Sequence, residues 1–166
     1  MACRGGSGGG VPNRCGGASK PGQRHKPLPA SACDASRANL DRLRNANGDT
    51  PTAVIRNNMQ RTMQADAAVF RTGETLADGV RKIRGIHASF EDVKVGDRSL
   101  IWNSDLIETF ELQNLLAQAL AAIVSAENRT ESRGANARED FPDPSYAQRR
   151  KHSLVWVGNG GPTDHH

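Results

Sequence analysis

Residues 101–143 decide the fold, and they read IWNSDLIETFELQNLLAQALAAIVSAENRTESRGANAREDFPD. In the first part of this stretch, large apolar side chains recur three or four positions apart, which predicts one long amphipathic helix. The apolar positions are Leu106, Ile107, Phe110, Leu115, Leu116, Leu120, Ile123 and Val124. The second part, residues 129–142 (RTESRGANAREDFP), is a dense run of charges, called the charged run below. A helix with one apolar face needs a surface to cover it, so other segments must supply the rest of a core.

Capping signals give the expected ends of this long helix. Asn103 or Ser104 is the expected N-cap, and Asp105 in the first turn carries the charge that the positive end of the helix dipole favours. The helix is expected to continue to about Ser132, because Gly134 is the residue best suited to a helix C-terminus. Such a helix is about 40 Å long at about 1.5 Å per residue.

An earlier helix is predicted between residues 51 and 71. Thr50 is the expected N-cap, and Pro51 suits the first helical position, where its missing N–H costs nothing. Gly73 is the expected stop. The apolar residues at near-helical spacing in this segment are Val54, Ile55, Met59, Met63, Val69 and Phe70.

A further helix is predicted at residues 74–90. Its apolar stripe consists of Leu76, Val80, Ile83, His87 and Phe90. Gly79 and Gly85 weaken the helix locally, and they are places where a neighbour could approach closely. A shorter helix is predicted at residues 35–46, and residues 93–98 are predicted to form a polar connection.

Together these segments predict an all-α fold. Three helices with one-sided apolar stripes and short links favour an antiparallel three-helix bundle, similar to a spectrin repeat, over about residues 51–132. One strand-like run follows at residues 152–157 (HSLVWV). The expected organisation is a tail at residues 1–30, a helical domain at residues 31–157 and a frayed end at residues 158–166.

The first 30 residues differ in composition from the rest. They hold eight of the 17 glycines and four of the eight prolines, with five basic residues and no acidic one. Such a segment cannot bury enough apolar area to offset its ordering entropy, so it is predicted to be disordered. A mitochondrial transit peptide and a non-native start remain as alternatives. The other residues carry a net charge of −1, which argues against a nucleic-acid interface.

The sequence also argues against several kinds of site. Three cysteines, with no CxxC pair, argue against a disulfide framework or a zinc site. The five histidines are scattered without metal-ligand spacing, and no helix follows the glycines of residues 158–161 as a dinucleotide-binding unit would require. No apolar run is long enough to span a membrane, so no direct membrane insertion is expected.

The charged run is the strongest functional candidate. It places six charged side chains within twelve residues: Arg129, Glu131, Arg133, Arg138, Glu139 and Asp140. Guanidinium groups bind carboxylates in a fixed two-pronged geometry, so this cluster could pair with groups on another surface. Arg133 is expected beside the unpaired carbonyls of the helix end, and Arg138 is expected to point away from the bundle. The alternative is a solvated turn whose charges pair only with one another.

The charged run also resembles a known family. Together with residues 98–116 (RSLIWNSDLIETFELQNLL) and 59–76 (MQRTMQADAAVFRTGETL), it is similar to the C-terminal helical domain of the succinate dehydrogenase flavoprotein subunit. The resemblance covers about residues 27–157 and favours the mitochondrial and alphaproteobacterial type. The pattern R-x-E-S-R-G-A-H-x-R-x-D is shared, with variation, by fumarate reductase and L-aspartate oxidase. Asn136 stands where this pattern has His, and Asn cannot titrate near neutral pH.

The resemblance implies a function that this chain could not perform alone. The family oxidises succinate to fumarate and passes electrons through FAD to an iron–sulfur subunit and quinone. It does so as a peripheral part of a complex at the inner membrane, on the matrix or cytoplasmic face. Its FAD-binding domain and its catalytic histidine and arginine residues precede the helical domain. The chain is therefore expected to be one domain, truncated at both ends, that alone binds no FAD and oxidises no succinate.

The resemblance also implies which residues form an interface. In the family the charged run lies against the flavin domain, so the expected interface residues are Arg129, Glu131, Arg133, Asn136, Arg138, Glu139 and Asp140. The expected partners are the flavin domain and the iron–sulfur subunit. The alternative is a free-standing helical interaction module or a non-functional fragment.

Overall fold

Four α-helices make up most of the described chain. The computed structural model describes residues 28–147, 149, 152–158 and 161–165. The helices are α1 (Asp34–Arg44), α2 (Thr52–Asp66), α3 (Gly73–Ser89) and α4 (Ser104–Asn128), with a 3-10 turn at Phe90–Asp92 after α3. The strands are β1 (Thr50–Pro51), β2 (Phe70–Arg71), β3 (Val93–Lys94), β4 (Ala137–Arg138), β5 (Leu154–Gly158) and β6 (Gly161–His165).

The chain divides into two compact units, Met1–Ala35 and Ser36–His166. In the first unit, residues 28–35 are described, and a turn bond from Asp34 N to Ser31 O (3.2 Å) marks the start of α1. The predicted disorder of residues 1–30 falls almost wholly outside the described residues. The short helix predicted at residues 35–46 is confirmed as α1, with its ends shifted by one or two residues.

Helices α2, α3 and α4 pack together as an up-down-up bundle. Near the start of α2 and of α4, the buried hydroxyls of Thr52 and Thr109 form a hydrogen bond of 2.7 Å. Near the end of α2, Asp66 pairs with Lys82 of α3 at 2.8 Å. Strand β1, before α2, pairs with β3, which follows α3. Helix α3 therefore runs opposite to α2 and α4, and the predicted antiparallel three-helix bundle is confirmed.

One continuous apolar core lies between these helices. Its buried members come from all four helices and the connection after α3: Leu43, Ile55, Met59, Leu76, Val80, Ile83, Phe90, Val93, Leu106, Leu112, Leu116, Ala119, Leu120, Ile123 and Val124. Each fully buried Leu or Ile contributes about 1.5–3 kcal/mol relative to exposure. The predicted apolar stripes are thus only partly correct, since several of their members are exposed: Val54, Val69, His87, Ile107 and Leu115.

Helix α2 is shorter than predicted at its C-terminal end. It ends at Asp66 rather than Arg71, and Phe70, predicted as a core residue, is 74% exposed. The reason is that Phe70 and Arg71 form β2, which pairs in parallel with β4. Gly73 is the first residue of α3 instead of a stop, because Thr72 caps that helix by accepting a hydrogen bond from Thr75 N at 3.2 Å.

The start of α2 also differs from the prediction. Pro51 rather than Thr50 is its N-cap, and no side chain caps this end. The Thr50 hydroxyl instead donates to Asp92 Oδ2 at 3.1 Å, beside the β1–β3 pair. The connection after α3 is not wholly polar as predicted, since Val93 and Val95 are both buried.

The long helix α4 begins as predicted and ends early. The Asn103 side chain caps it by accepting a hydrogen bond from Leu106 N at 2.8 Å. The helix ends at Asn128, four residues before the predicted Ser132. Gly134, the predicted helix stop, lies later in a tight turn with φ of +59°. Helix α4 ends early because residues further along the charged run bind its last carbonyls.

A hairpin follows the charged run at the C-terminal end. The strand predicted at residues 152–157 is present as β5, and it pairs antiparallel with β6. Residues 158–166 were predicted to be frayed, whereas residues 161–165 form β6. A continuous apolar run at residues 154–157 indicated β5, but the sequence Gly-Pro-Thr-Asp-His of β6 carries no such pattern.

An arginine-rich candidate interface

The centre of the charged run is a fully buried carboxylate. Glu131 has no exposed surface. Its Oε1 accepts from Arg129 Nε at 2.9 Å, and its Oε2 accepts from Arg133 Nη2 at 3.0 Å and from the main-chain N–H of Ser145 at 2.8 Å. A buried charge is stable only when it is paired and hydrogen-bonded, and both conditions are met here.

These contacts keep Glu131 ionised. The hydrogen bond from Arg133 is the main cause that lowers the pKa of Glu131 from 4.5 to about 2, with the Ser145 N–H and Arg129 acting in the same direction and burial acting against them. The same pair raises the pKa of Arg133. At neutral pH the cluster is therefore one carboxylate held between two guanidinium groups.

Arg138 binds the C-terminal end of α4 from inside the fold. The whole Arg138 residue is 3% exposed. Its Nη1 donates to the carbonyls of Glu127, Arg129 and Ala126 at 3.1, 3.2 and 3.3 Å. These are carbonyls that a helix end leaves without partners, and a cation is favoured there. The expectation that Arg138 points away from the bundle is wrong.

Asp140 links the same arginine to the start of α3. Its two oxygens accept from Nε and Nη2 of Arg138 at 2.8 and 2.7 Å, and Oδ2 also accepts from Gly73 N at 2.8 Å. Arg138 is the main cause that lowers the pKa of Asp140 from 3.8 to about 2; the Gly73 N–H acts in the same direction and burial acts against both. A negative charge at this end of α3 also suits the helix dipole.

Arg133 lies away from the helix end where it was predicted. It lies five positions after Asn128, the last residue of α4, and the carbonyls there bind Arg138 instead. Its guanidinium pairs with Glu131 and lies 5.0 Å from the centroid of the Tyr146 ring. About a third of its side chain, 35%, remains exposed, so Arg133 can still face a partner.

Asn136 and Glu139 complete the predicted set. Asn136 Nδ2 donates to the carbonyl of Glu131 at 2.9 Å, and its Oδ1 accepts from Arg71 Nη1 at 3.2 Å. The amide therefore uses both its donor and its acceptor inside the turn. Glu139 donates its main-chain N–H to Arg71 O at 2.8 Å, and its side chain is exposed.

An open cavity of about 630 Å³ lies beside these residues, in the unit formed by residues 36–166. Small residues of α4 form part of its wall, and its polar lining comprises Arg71, Arg129, Arg133, Asn136, Arg149 and His152. Arg71 and Arg149 were not among the predicted site residues: Arg71 lies far before the charged run along the chain, and Arg149 lies seven positions after its end. No local pattern marks them; Arg71 arrives through the β2–β4 pairing.

The described residues form no dinucleotide-binding turn of the Rossmann kind. That kind of site holds the pyrophosphate on a glycine-rich turn between a strand and a helix. In the part of the chain that the structure describes, the strands are two-residue pairs and a terminal hairpin, and none leads into such a turn. Within that part, no group of His, Cys, Asp and Glu side chains could hold a metal ion. No described helix has the length and apolar character to cross a membrane.

Comparisons with known proteins agree with this domain structure. The family profile described as "Fumarate reductase flavoprotein C-term" matches residues 56–164. The mitochondrial succinate dehydrogenase [ubiquinone] flavoprotein subunit of Oryza sativa subsp. japonica is 56% identical over 147 residues, which cover 89% of this chain and 23% of that protein. The succinate dehydrogenase flavoprotein subunit of Rickettsia bellii is 46% identical over 86% of this chain and 24% of its own length. The chain thus spans about a quarter of the length of the curated relatives it matches.

Solved structures share the fold. A chain of E. coli quinol fumarate reductase, FrdA, superposes with a TM-score of 0.76 at 29% identity, over 84% of this chain and 25% of that chain. The Mycobacterium smegmatis Sdh1 complex superposes with a TM-score of 0.64 at 20% identity, over 79% and 23%. The second likeness concerns the fold alone. On the profile match and the relatives' identities, the chain belongs to the C-terminal family of the fumarate reductase and succinate dehydrogenase flavoproteins.

Proposed function

We propose that this chain acts as the C-terminal helical domain of a succinate dehydrogenase-type flavoprotein and docks on a flavin domain. The observation that carries the proposal is that residues 56–164 match the C-terminal family while the chain covers only 23% of its rice relative. The whole protein would oxidise succinate to fumarate with FAD held by the flavin domain. The helical domain would supply a rigid surface and no reacting group.

The charged run supplies the docking surface in this proposal. Arg129, Arg133, Asn136 and Glu139 have partly or fully exposed side chains at one end of the bundle. Glu131 and Arg138 are buried and would support them from within through the ion pairs, while Asp140, whose side chain is 33% exposed, would lie at the edge of the surface. All seven residues have a role at the interface in this proposal, but Glu131 and Arg138 would not touch the partner. Arginines held by carboxylates lose little further conformational freedom on binding, which favours an interface role.

The assembly follows from the same proposal. The iron–sulfur subunit would join the flavin domain as the second partner, and the whole would lie as a peripheral part of a complex at the inner membrane. In this arrangement the isolated chain binds no FAD and oxidises no succinate. Both absences remain predictions, and purified chain that shows flavin absorbance or succinate-dependent dye reduction would contradict them.

A docking experiment tests the proposal directly. The flavin domain of a longer relative is supplied in trans, and its affinity for this chain is measured by calorimetry. Arg133→Ala should weaken binding by about tenfold or more, because a desolvated arginine at the centre of an interface carries much of the affinity. Arg84→Ala is the matched control, since Arg84 is an exposed arginine on α3.

Two results would overturn the docking role. Arg133→Ala that binds as tightly as the parent removes the charged run from the interface. A parent chain that does not bind the flavin domain favours the alternative, a free-standing helical interaction module. That alternative has one observation in its favour, an exposed apolar patch at Leu100, Ile101 and Trp102. Circular dichroism of each variant at the binding temperature separates lost contact from lost folding.

A further inference from the structure

The cavity beside the charged run has an excess of positive charge. Four arginines line it: Arg71, Arg129, Arg133 and Arg149. Glu131 pairs with both Arg129 and Arg133, so two of the four positive charges share a single negative one. No Asp or Glu belongs to the described lining of the cavity. Like charges so close together repel one another, and a bound anion would remove much of that repulsion.

Two of these arginines have only neutral partners among the described residues. Arg71 donates through Nε to the carbonyl of Ala68 at 2.6 Å and through Nη1 to Asn136 Oδ1 at 3.2 Å. Arg149 donates through Nη2 to the hydroxyl of Thr130 at 3.3 Å. These bonds orient the guanidinium groups and, as far as the described residues go, bring no carboxylate to them, with further N–H groups available to a ligand.

The rest of the cavity lining includes small residues, some of them polar. Ala122, Ser125 and Ala126 come from the C-terminal part of α4, and Ser153 lies beside Arg129. Short side chains leave room for an occupant. The hydroxyl of Ser153 already accepts from Arg129 Nη1 at 3.2 Å, so its own hydrogen can point toward the cavity. Hydroxyl and guanidinium donors together match oxygen acceptors.

We propose that this cavity binds a multivalent oxyanion, a group that presents several anionic carboxylate or phosphate oxygens. Several guanidinium groups in one cavity favour a ligand with at least two anionic groups over a monovalent ion. The anion is either a free small molecule or the acidic side chains of a protein segment, which share this chemistry. The site needs only residues of this chain, so it does not depend on docking to a flavin domain.

The test measures anion binding by the full chain without any partner. Pyrophosphate and acetate are titrated separately at equal ionic strength by calorimetry and by the shift of the thermal unfolding temperature. Pyrophosphate should bind and raise that temperature, whereas acetate should do neither. Arg149→Gln should weaken pyrophosphate binding by about tenfold. Arg84→Gln, which removes an exposed arginine of α3 outside the cavity lining, should leave it within about twofold.

The control is necessary because residues 1–30 carry five basic residues and attract anions on their own. Equal losses from Arg149→Gln and Arg84→Gln, or equal binding of pyrophosphate and acetate, would overturn the proposal. A last arm adds a short peptide of alternating Asp and Glu. If the peptide binds more tightly than pyrophosphate, the occupant of the cavity is an acidic protein segment. If pyrophosphate binds more tightly, the occupant is a free anion. Either result supports the site, provided that Arg149→Gln weakens the binding of that ligand.

Discussion

Arg138 and Asp140 join the end of α4 to the start of α3 through a single bidentate ion pair. Arg138 binds three carbonyls at the C-terminal end of α4, and Asp140 binds Gly73 N in the first turn of α3. Because the two helices are antiparallel, the negative end of one dipole and the positive end of the other lie side by side. Each charged group lies at the helix end that favours it, and the pair also neutralises itself.

Removal of Arg138 should destabilise the bundle strongly. Arg138→Ala leaves Asp140 without its partner and three carbonyls without a donor, so the free energy of unfolding should fall by about 3 kcal/mol. Urea unfolding followed by circular dichroism measures this. Arg81→Ala, which removes an exposed arginine that pairs with Asp78 on α3, should cost less than about 1 kcal/mol. If the free energy of unfolding falls no further in Arg138→Ala than in Arg81→Ala, the Arg138–Asp140 ion pair does not stabilise the bundle.

The geometry of Arg138 should matter as much as its charge. Arg138→Lys keeps one positive charge, but an ammonium group cannot bind two carboxylate oxygens and three carbonyls in one plane. Its stability should therefore lie between those of the parent and Arg138→Ala. A lysine variant as stable as the parent would reduce the contact to simple charge attraction.

Stability should fall with acid over a defined range of pH. The folded-state pKa values of Glu131 and Asp140 are both about 2, below their usual values of 4.5 and 3.8. A carboxylate with a depressed pKa stabilises the fold above its unfolded value, and that stabilisation is lost as the pH falls to the folded value. The unfolding temperature should thus drop between about pH 4.5 and 2.

Glu131→Gln provides the control for this effect. The amide does not titrate, so the unfolding temperature of the variant should depend less steeply on pH over the same range. It should also be lower than that of the parent at neutral pH, because Arg129 and Arg133 then lack a carboxylate that they share. Parallel curves for variant and parent would show that Glu131 is not responsible for the acid sensitivity.

Two glycines of α3 should respond oppositely to alanine. A Cβ at Gly79 would lie 2.6 Å from Ile123 Cδ1 and 2.8 Å from Asp66 Cβ, so Gly79→Ala should cost about 1–3 kcal/mol by overpacking. A Cβ at Gly85 would have no neighbour within 4 Å, so Gly85→Ala should gain about 0.5–1 kcal/mol from helix propensity. Thermal unfolding of both variants tests the pair, and the same sign at both sites would contradict the packing argument.

Features that depend on local periodicity were predicted from the sequence. Features that depend on contacts between residues far apart along the chain were not. Apolar spacing gave the three bundle helices and most of the core. It could not place the end of α4, because the residue that binds the last carbonyls, Arg138, lies 9–12 positions further along. Gly134 had the local character of a helix stop, yet it belongs to the turn that brings Arg138 back. Gly73 likewise fits either a helix end or, after Thr72, a helix start.

The candidate interface shows the same division. The charged run itself was evident from its composition, and the prediction that its charges could pair across an interface now competes with the pairs seen inside the turn. Arg71 and Arg149 could not be assigned to the cavity from the sequence. Arg71 lies 65 positions from Asn136, and the contact depends on the pairing of β2 with β4. Tertiary contacts of this range leave no periodic signal.

The exposed apolar patch should make the isolated chain self-associate. Leu100, Ile101 and Trp102 are 64%, 78% and 97% exposed, and Trp102 has a φ of 51°, in the left-handed region. Trp102→Gly should remove both the apolar surface and about 1 kcal/mol of backbone strain. Sedimentation should then show less association, and the unfolding temperature should rise. Trp102→Phe keeps an apolar ring and the backbone strain, so it should change neither the association nor the unfolding temperature. If the parent and both variants associate equally, the patch is not the cause of self-association.

Replacing Asn136 with histidine should create a pH-dependent fold. Asn136 accepts from Arg71 and donates to the carbonyl of Glu131, and a neutral imidazole also has one acceptor and one donor nitrogen. A protonated imidazole has no acceptor and would face the Arg71 guanidinium, while the carboxylate of Glu131 is already bound by Arg129 and Arg133. The pKa of the new histidine should therefore lie below its unfolded value of about 6.5.

A depressed histidine pKa means that the unfolded state binds more protons, so stability should fall by up to about 1.4 kcal/mol per pH unit below about pH 6.5. The unfolding temperatures of Asn136→His and the parent should separate between about pH 7 and 5.5, and curves that stay parallel there would show that Arg71 does not control this position.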